Sequence, residues 1–143
     1  MRTPASIARH PIHPMLVTLP IGLWIFSFVC DLLFVLGSGA SLWFTLAFWT
    51  LIGGLAGALI AAIPGVIDML SLSGQPKKLA LTHMSLNVAI VVLYAVNLGM
   101  RFTGASIAGY PLALSGIAIA LLTVSAWLGA HMVYVHRVAV TEE

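Results

Sequence analysis

Charge is what this chain has least of. Six Lys or Arg and four Asp or Glu amount to 7% of its 143 residues, against roughly a quarter in water-soluble domains. Such a scarcity excludes an ordinary soluble domain. Cysteine occurs once, at Cys30, so no intrachain disulfide exists. There is no Cys-x-x-Cys, no His-Glu-x-x-His, no glycine-rich nucleotide motif and no nucleophile–base arrangement. Hydrolytic chemistry is unsupported, and a non-enzymatic role is expected. The basic residues are scattered rather than clustered, which argues against nucleic acid as a partner. No internal repeat or low-complexity tract is visible.

Apolar residues take the place of charge: 61% of the chain is hydrophobic, with a mean hydropathy of +1.10. The solvent that suits this composition is a lipid bilayer. Four apolar stretches each approach the ~20 residues needed to cross ~30 Å of hydrocarbon. They run over 15–36, 42–70, 79–100 and 111–135, with a bend or tilt expected at Pro64-Gly65 in the second. The first is longer than a signal-peptide core and contains Asp31, so it reads as a retained helix despite the cleavage-like Ser38-Gly39-Ala40. The connecting loops, 37–41, 71–78 and 101–110, are short enough to make successive helices antiparallel neighbours. The expected fold is an all-α membrane protein: one antiparallel four-helix transmembrane bundle comprising residues 1–143.

Orientation follows from basic residues in the short flanks. Arg2, Arg9, Lys77, Lys78 and Arg137 lie on one side and only Arg101 on the other, which puts both termini in the cytoplasm. Small residues mark the packing faces. Gly53, Gly57, Ala61 and Gly65 recur every fourth position in the second span, where they let backbones approach closely. Ala118, Ser125, Gly129 and His136 form a comparable stripe in the fourth.

Polar residues converge on one layer. His10 and His13 precede the first span, Asp68 closes the second, His83 opens the third, and His131 and His136 close the fourth. Alternating helix direction brings all five histidines of the chain to the cytoplasmic end, with a carboxylate beside them. On the third span His83, Asn87, Tyr94 and Asn97 fall within about 40° of one line, a polar stripe that must face protein or water. His131 and His136, five positions apart, are not expected to point inward together. Asp31 and Arg101, near the opposite face, are placed to form a structural ion pair.

Two kinds of chemistry suit the histidine layer. Imidazoles on separate helices can hold a b-type haem axially, with His83 and His136 as the first pair and His13 and His131 as substitutes. Alternatively His10, His13, Asp68, His83 and His136 form a site for a transition-metal ion such as zinc, iron or copper. Each residue also has a plainer role. His10 and His13 can lie in the headgroup region, and His83 can pair with Asp68 for packing alone. An accessory or assembly subunit of a larger membrane complex, without a cofactor of its own, is therefore the competing expectation. Ion or proton transport through Asn87, Tyr94, Asn97 and Asp31 is a third.

The run His10-Pro11-Ile12-His13-Pro14-Met15-Leu16-Val17, followed by Pro20-Ile21-Gly22-Leu23-Trp24, resembles the opening of the bacterial membrane-protein family catalogued as domain of unknown function 2231. The resemblance continues through Gly65-Val66-Ile67-Asp68, His83 to Asn87, and Gly129-Ala130-His131-Met132-Val133-Tyr134-Val135-His136. Arg137-Val138-Ala139-Val140 departs from the glycine-rich tail of that family. The resemblance implies a four-helix protein of the bacterial inner membrane. Some members are fused to Rieske-type iron–sulfur domains, which implies a redox or electron-transfer setting. This chain has no Rieske ligands, so an iron–sulfur partner would be a separate protein.

Overall fold

The computed structural model describes residues 3–37 and 39–140. Arg2, counted in the orientation argument, and Ser38, in the first loop, lie outside the described residues.

Four helices are long and apolar enough to cross a membrane, over Ile12–Leu36, Ser41–Leu70, Gly74–Phe102 and Tyr110–Tyr134. The first is divided into α1 (Ile12–Leu16) and α2 (Thr18–Leu36). Pro20 explains the division, because it has no amide for the Leu16 carbonyl four residues earlier. The second, α3 (Ser41–Leu70), stays continuous through Pro64. The third, α4 (Gly74–Phe102), begins five residues ahead of the expected start. Pro76 is tolerated there because first-turn amides have no partner inside a helix. The fourth is α5 (Tyr110–Tyr134). The helices pack in the ring order α2, α3, α4, α5, closest within the hairpins α2–α3 and α4–α5.

One local element was not legible in the sequence. Ser6–Ile7 (β1) and His10–Pro11 (β2) pair antiparallel as a minimal hairpin. Its two turn residues, Ala8 and Arg9, have φ of 47° and 67°, a left-handed conformation costly for side chains bearing a Cβ. The hairpin is tied to the bundle by Asp68, whose Oδ1 accepts the Ala5 amide at 2.8 Å.

The two transmembrane hairpins repeat one plan. A position in α1–α2 corresponds to the one 70 residues later in α4, and a position in α3 to the one 64 residues later in α5. Buried Pro20, Trp24, Ser27 and Asp31 thus correspond to buried Ile90, Tyr94, Asn97 and Arg101. Buried Ala47, Leu51, Gly54, Ala61 and Asp68 correspond to buried Pro111, Ser115, Ala118, Ser125 and Met132. Hydrogen bonds repeat as well. The Ser27 hydroxyl donates to the Ala47 carbonyl at 2.8 Å, and the Asn97 amide to the Pro111 carbonyl at 2.7 Å. Because α2 and α4 run the same way, the halves are related by rotation about an axis along the bundle. At the level of sequence this correspondence does not show as a repeat. From 12/82 to 31/101 only His13/His83, Leu16/Leu86 and Leu23/Leu93 are identical pairs, too few to read as a repeat.

Candidate functional site: an imidazole pair on the bundle axis

His13 sits in the first turn of α1 and leans on α3. Its Nδ1 lies 2.8 Å from the Ala61 carbonyl, and a carbonyl only accepts, so Nδ1 carries the proton and donates. Gly65 makes this approach possible, since a Cβ there would stand 2.8 Å from Nδ1 and 2.9 Å from Cε1. His83, its counterpart on α4, leans on α5 in the same way. Its Nδ1 donates to the Ser125 carbonyl at 2.9 Å and lies 3.0 Å from the Ser125 hydroxyl. Gly129 borders that ring, with room for a Cβ 3.4 Å from Cε1. Asn87 completes the anchor by donating to the Ser125 hydroxyl at 2.9 Å and to the His83 carbonyl at 2.8 Å.

The two rings meet edge to face, with centroids 6.4 Å apart. With both Nδ1 positions committed to backbone carbonyls, Nε2 is the nitrogen each ring has left for another partner. This is the arrangement by which proteins fix the tautomer and orientation of a ligating histidine. Both rings are half-buried, at the end where α2 and α4 begin.

Two further contacts cross between α2 and α4 along the same line. Trp24 and Tyr94 stack with centroids 4.4 Å apart. Asp31 and Arg101 form a doubly hydrogen-bonded ion pair with both side chains fully buried. Steps of eleven and seven residues separate the three levels on each helix, and eighteen residues make five full turns. The contacts therefore form one column, about 27 Å long at 1.5 Å per residue, close to the thickness of a hydrocarbon core. Arg101 Nε also donates to Asn97 Oδ1 at 2.8 Å, and Asn97 Nδ2 to the Ser115 hydroxyl at 2.8 Å. That network is satisfied throughout. Trp24 Nε1 and Tyr94 Oη, by contrast, are buried with no hydrogen-bond partner among the described residues.

The expected ligand sets are redistributed. His83 has His13 as its ring partner, whereas His136 lies against His131 at a centroid distance of 5.3 Å. The first-choice pair, His83 with His136, gives way to His83 with His13. His10 is exposed and bonds the Ala8 carbonyl within its own turn, at 2.8 Å. Asp68 is spent on the Ala5 amide rather than on an imidazole. The five-residue metal set does not assemble, and no group of three or more His, Cys, Asp or Glu suited to an ion occurs among the described residues. Sequence reasoning missed Ser125 as an anchor. Its place in the small-residue stripe was the available signal. The small-residue face of α3 does point inward, with Gly54 against the Trp24 indole and Gly57 against Pro20.

Neither a curated protein nor a solved structure matches the chain. A family model does, over residues 9–142, taking in His13, His83 and the whole bundle. The chain belongs to the family described as predicted membrane protein (DUF2231), and its four apolar helices are those of an integral membrane protein.

Proposed function

We propose that this is a non-enzymatic redox component of the bacterial inner membrane that holds a b-type haem, or a single transition-metal ion, between Nε2 of His13 and Nε2 of His83. The observation that carries the reading is the ring spacing. Two imidazoles bound to opposite sides of one metal at ~2.0–2.1 Å have centroids on the order of 6 Å apart, and these rings are 6.4 Å apart with Nδ1 already anchored. The group, when bound, supplies the one-electron chemistry. The chain orients two imidazoles, with Nδ1 of each spent on a backbone carbonyl. Gly65 and Gly129 keep the flanking walls low.

The imidazole end is assigned to the cytoplasmic side. Arg9, Lys77, Lys78 and Arg137 support this, and the one opposing residue, Arg101, is neutralised within the bundle by Asp31. Electron-exchange partners are then membrane redox proteins or separate iron–sulfur proteins.

Purification in detergent from haem-replete cells, with reduced-minus-oxidised spectra and metal analysis, tests the reading. A b-type spectrum, or one equivalent of metal, is expected for the parent and is lost in both His13→Ala and His83→Ala. Colourless, metal-free protein sinks the reading and leaves the accessory-subunit role. That alternative has its own support: both imidazoles already have partners within the chain. It expects co-purification of a larger complex that the same substitutions disrupt.

A further inference from the structure

The relation between the hairpins provides an internal control, because each residue can be compared with the one doing the same packing in the other half. His13 and His83 correspond to each other. His131 and His136 do not: their counterparts are Ile67 and Leu72. The ends of the two helices correspond as well, α3 finishing at Leu70 and α5 at Tyr134. At these positions one half carries aliphatic side chains, Ile67 exposed and Leu72 buried, and the other carries two imidazoles. Packing does not demand them.

Their ring spacing matches that of a chelating pair. Successive positions on a helix could not bring residues five apart together, but α5 stops at Tyr134 and the chain turns back. Arg137 has φ of 50°, and the Val138 amide reaches the Met132 carbonyl at 3.1 Å. Val138 is tucked into a cluster with Met69, Leu72 and Met132. This return lays His136 beside His131, rings 5.3 Å apart and inclined at 71°. Two imidazoles on one tetrahedral ion at ~2.0–2.1 Å have centroids about 5 Å apart. Trp127 stacks on His131, centroids 5.4 Å apart and planes inclined at 21°. Both histidines are half-buried.

We propose that His131 and His136 form a second site, at the membrane surface, that takes one borderline transition-metal ion such as Cu(II) or Zn(II), with water in the remaining coordination positions. It stands independently of the His13–His83 site.

The test is titration of the detergent-solubilised full chain with Cu(II) alone, followed by electron paramagnetic resonance and by tryptophan fluorescence. Measured in a His13→Ala background, so that the first pair does not contribute, one Cu(II) with imidazole nitrogen couplings is expected, together with quenching that disappears when Trp127→Phe is added while binding remains. The double variant His131→Ile, His136→Leu installs the residues of the other hairpin, so its fold is expected to persist, as checked by helical circular dichroism and elution volume. Its Cu(II) affinity should fall about tenfold or more, whereas His13→Ala should leave this site unchanged. Unchanged Cu(II) affinity in the double variant, or no stoichiometric binding to the parent, overturns the proposal. Should the double variant unfold, His136→Leu alone decides by the same nitrogen couplings.

Discussion

Asp31 and Arg101 meet on the bundle axis 70 positions apart, the separation that also relates His13 to His83 and Trp24 to Tyr94. The three contacts join hairpins that otherwise pack mainly within themselves. Their loss should therefore act on the union of the halves.

Arg101→Leu leaves the Asp31 carboxylate buried without its partner. A cost of about 3–5 kcal/mol is expected on breaking such a pair, and much less when Asp31→Leu is added, because no charge is then stranded. Unfolding in mild detergent followed by circular dichroism measures both. A double variant as unstable as the single would contradict this account.

Gly65 and Gly129 occupy corresponding positions under the two imidazoles but differ in clearance. Gly65→Ala drives a Cβ into His13 and should destabilise by ~1–3 kcal/mol. Gly129→Ala meets His83 at 3.4 Å, and the better helix propensity of alanine, roughly 0.5–1 kcal/mol, offsets that contact. Thermal melts of the two variants should therefore separate clearly.

Tyr94 Oη is buried without a hydrogen-bond partner among the described residues. Tyr94→Phe keeps the ring stacked on Trp24 and removes a hydroxyl whose desolvation costs ~1–3 kcal/mol. The variant is expected to be neutral or more stable. A marked loss of stability would show that the hydroxyl has a bonded partner in the membrane.

Asp68 fastens the amino-terminal hairpin through the Ala5 amide. Asp68→Asn retains an acceptor and should leave the segment docked. Asp68→Met, the residue found at the corresponding position of α5, should free it. Limited proteolysis before His13 is the readout, with cleavage rising in Asp68→Met only.

The four spans were legible because hydropathy and length are properties of a continuous stretch. The polar stripe His83, Asn87, Tyr94 and Asn97 was legible because 100° per residue is local geometry. The partner of His83 was not. Helix direction brought all the histidines to one end, but azimuth decides which rings meet, and azimuth depends on how hairpins dock. That His131 and His136 do not point inward together was argued for a continuing helix, but α5 ends at Tyr134 and the two rings meet.

By itself, the amino-acid order determined that this chain enters a bilayer, crosses it four times and gathers its imidazoles at one end. Those outcomes follow from the cost of burying charge or an unpaired backbone in hydrocarbon, which every short segment meets alone. Tertiary structure decided which imidazoles pair, that Asp68 serves the amino terminus, and that the halves repeat. Each of these is a contact between residues tens of positions apart, set by side-chain fit across helices rather than by any local pattern.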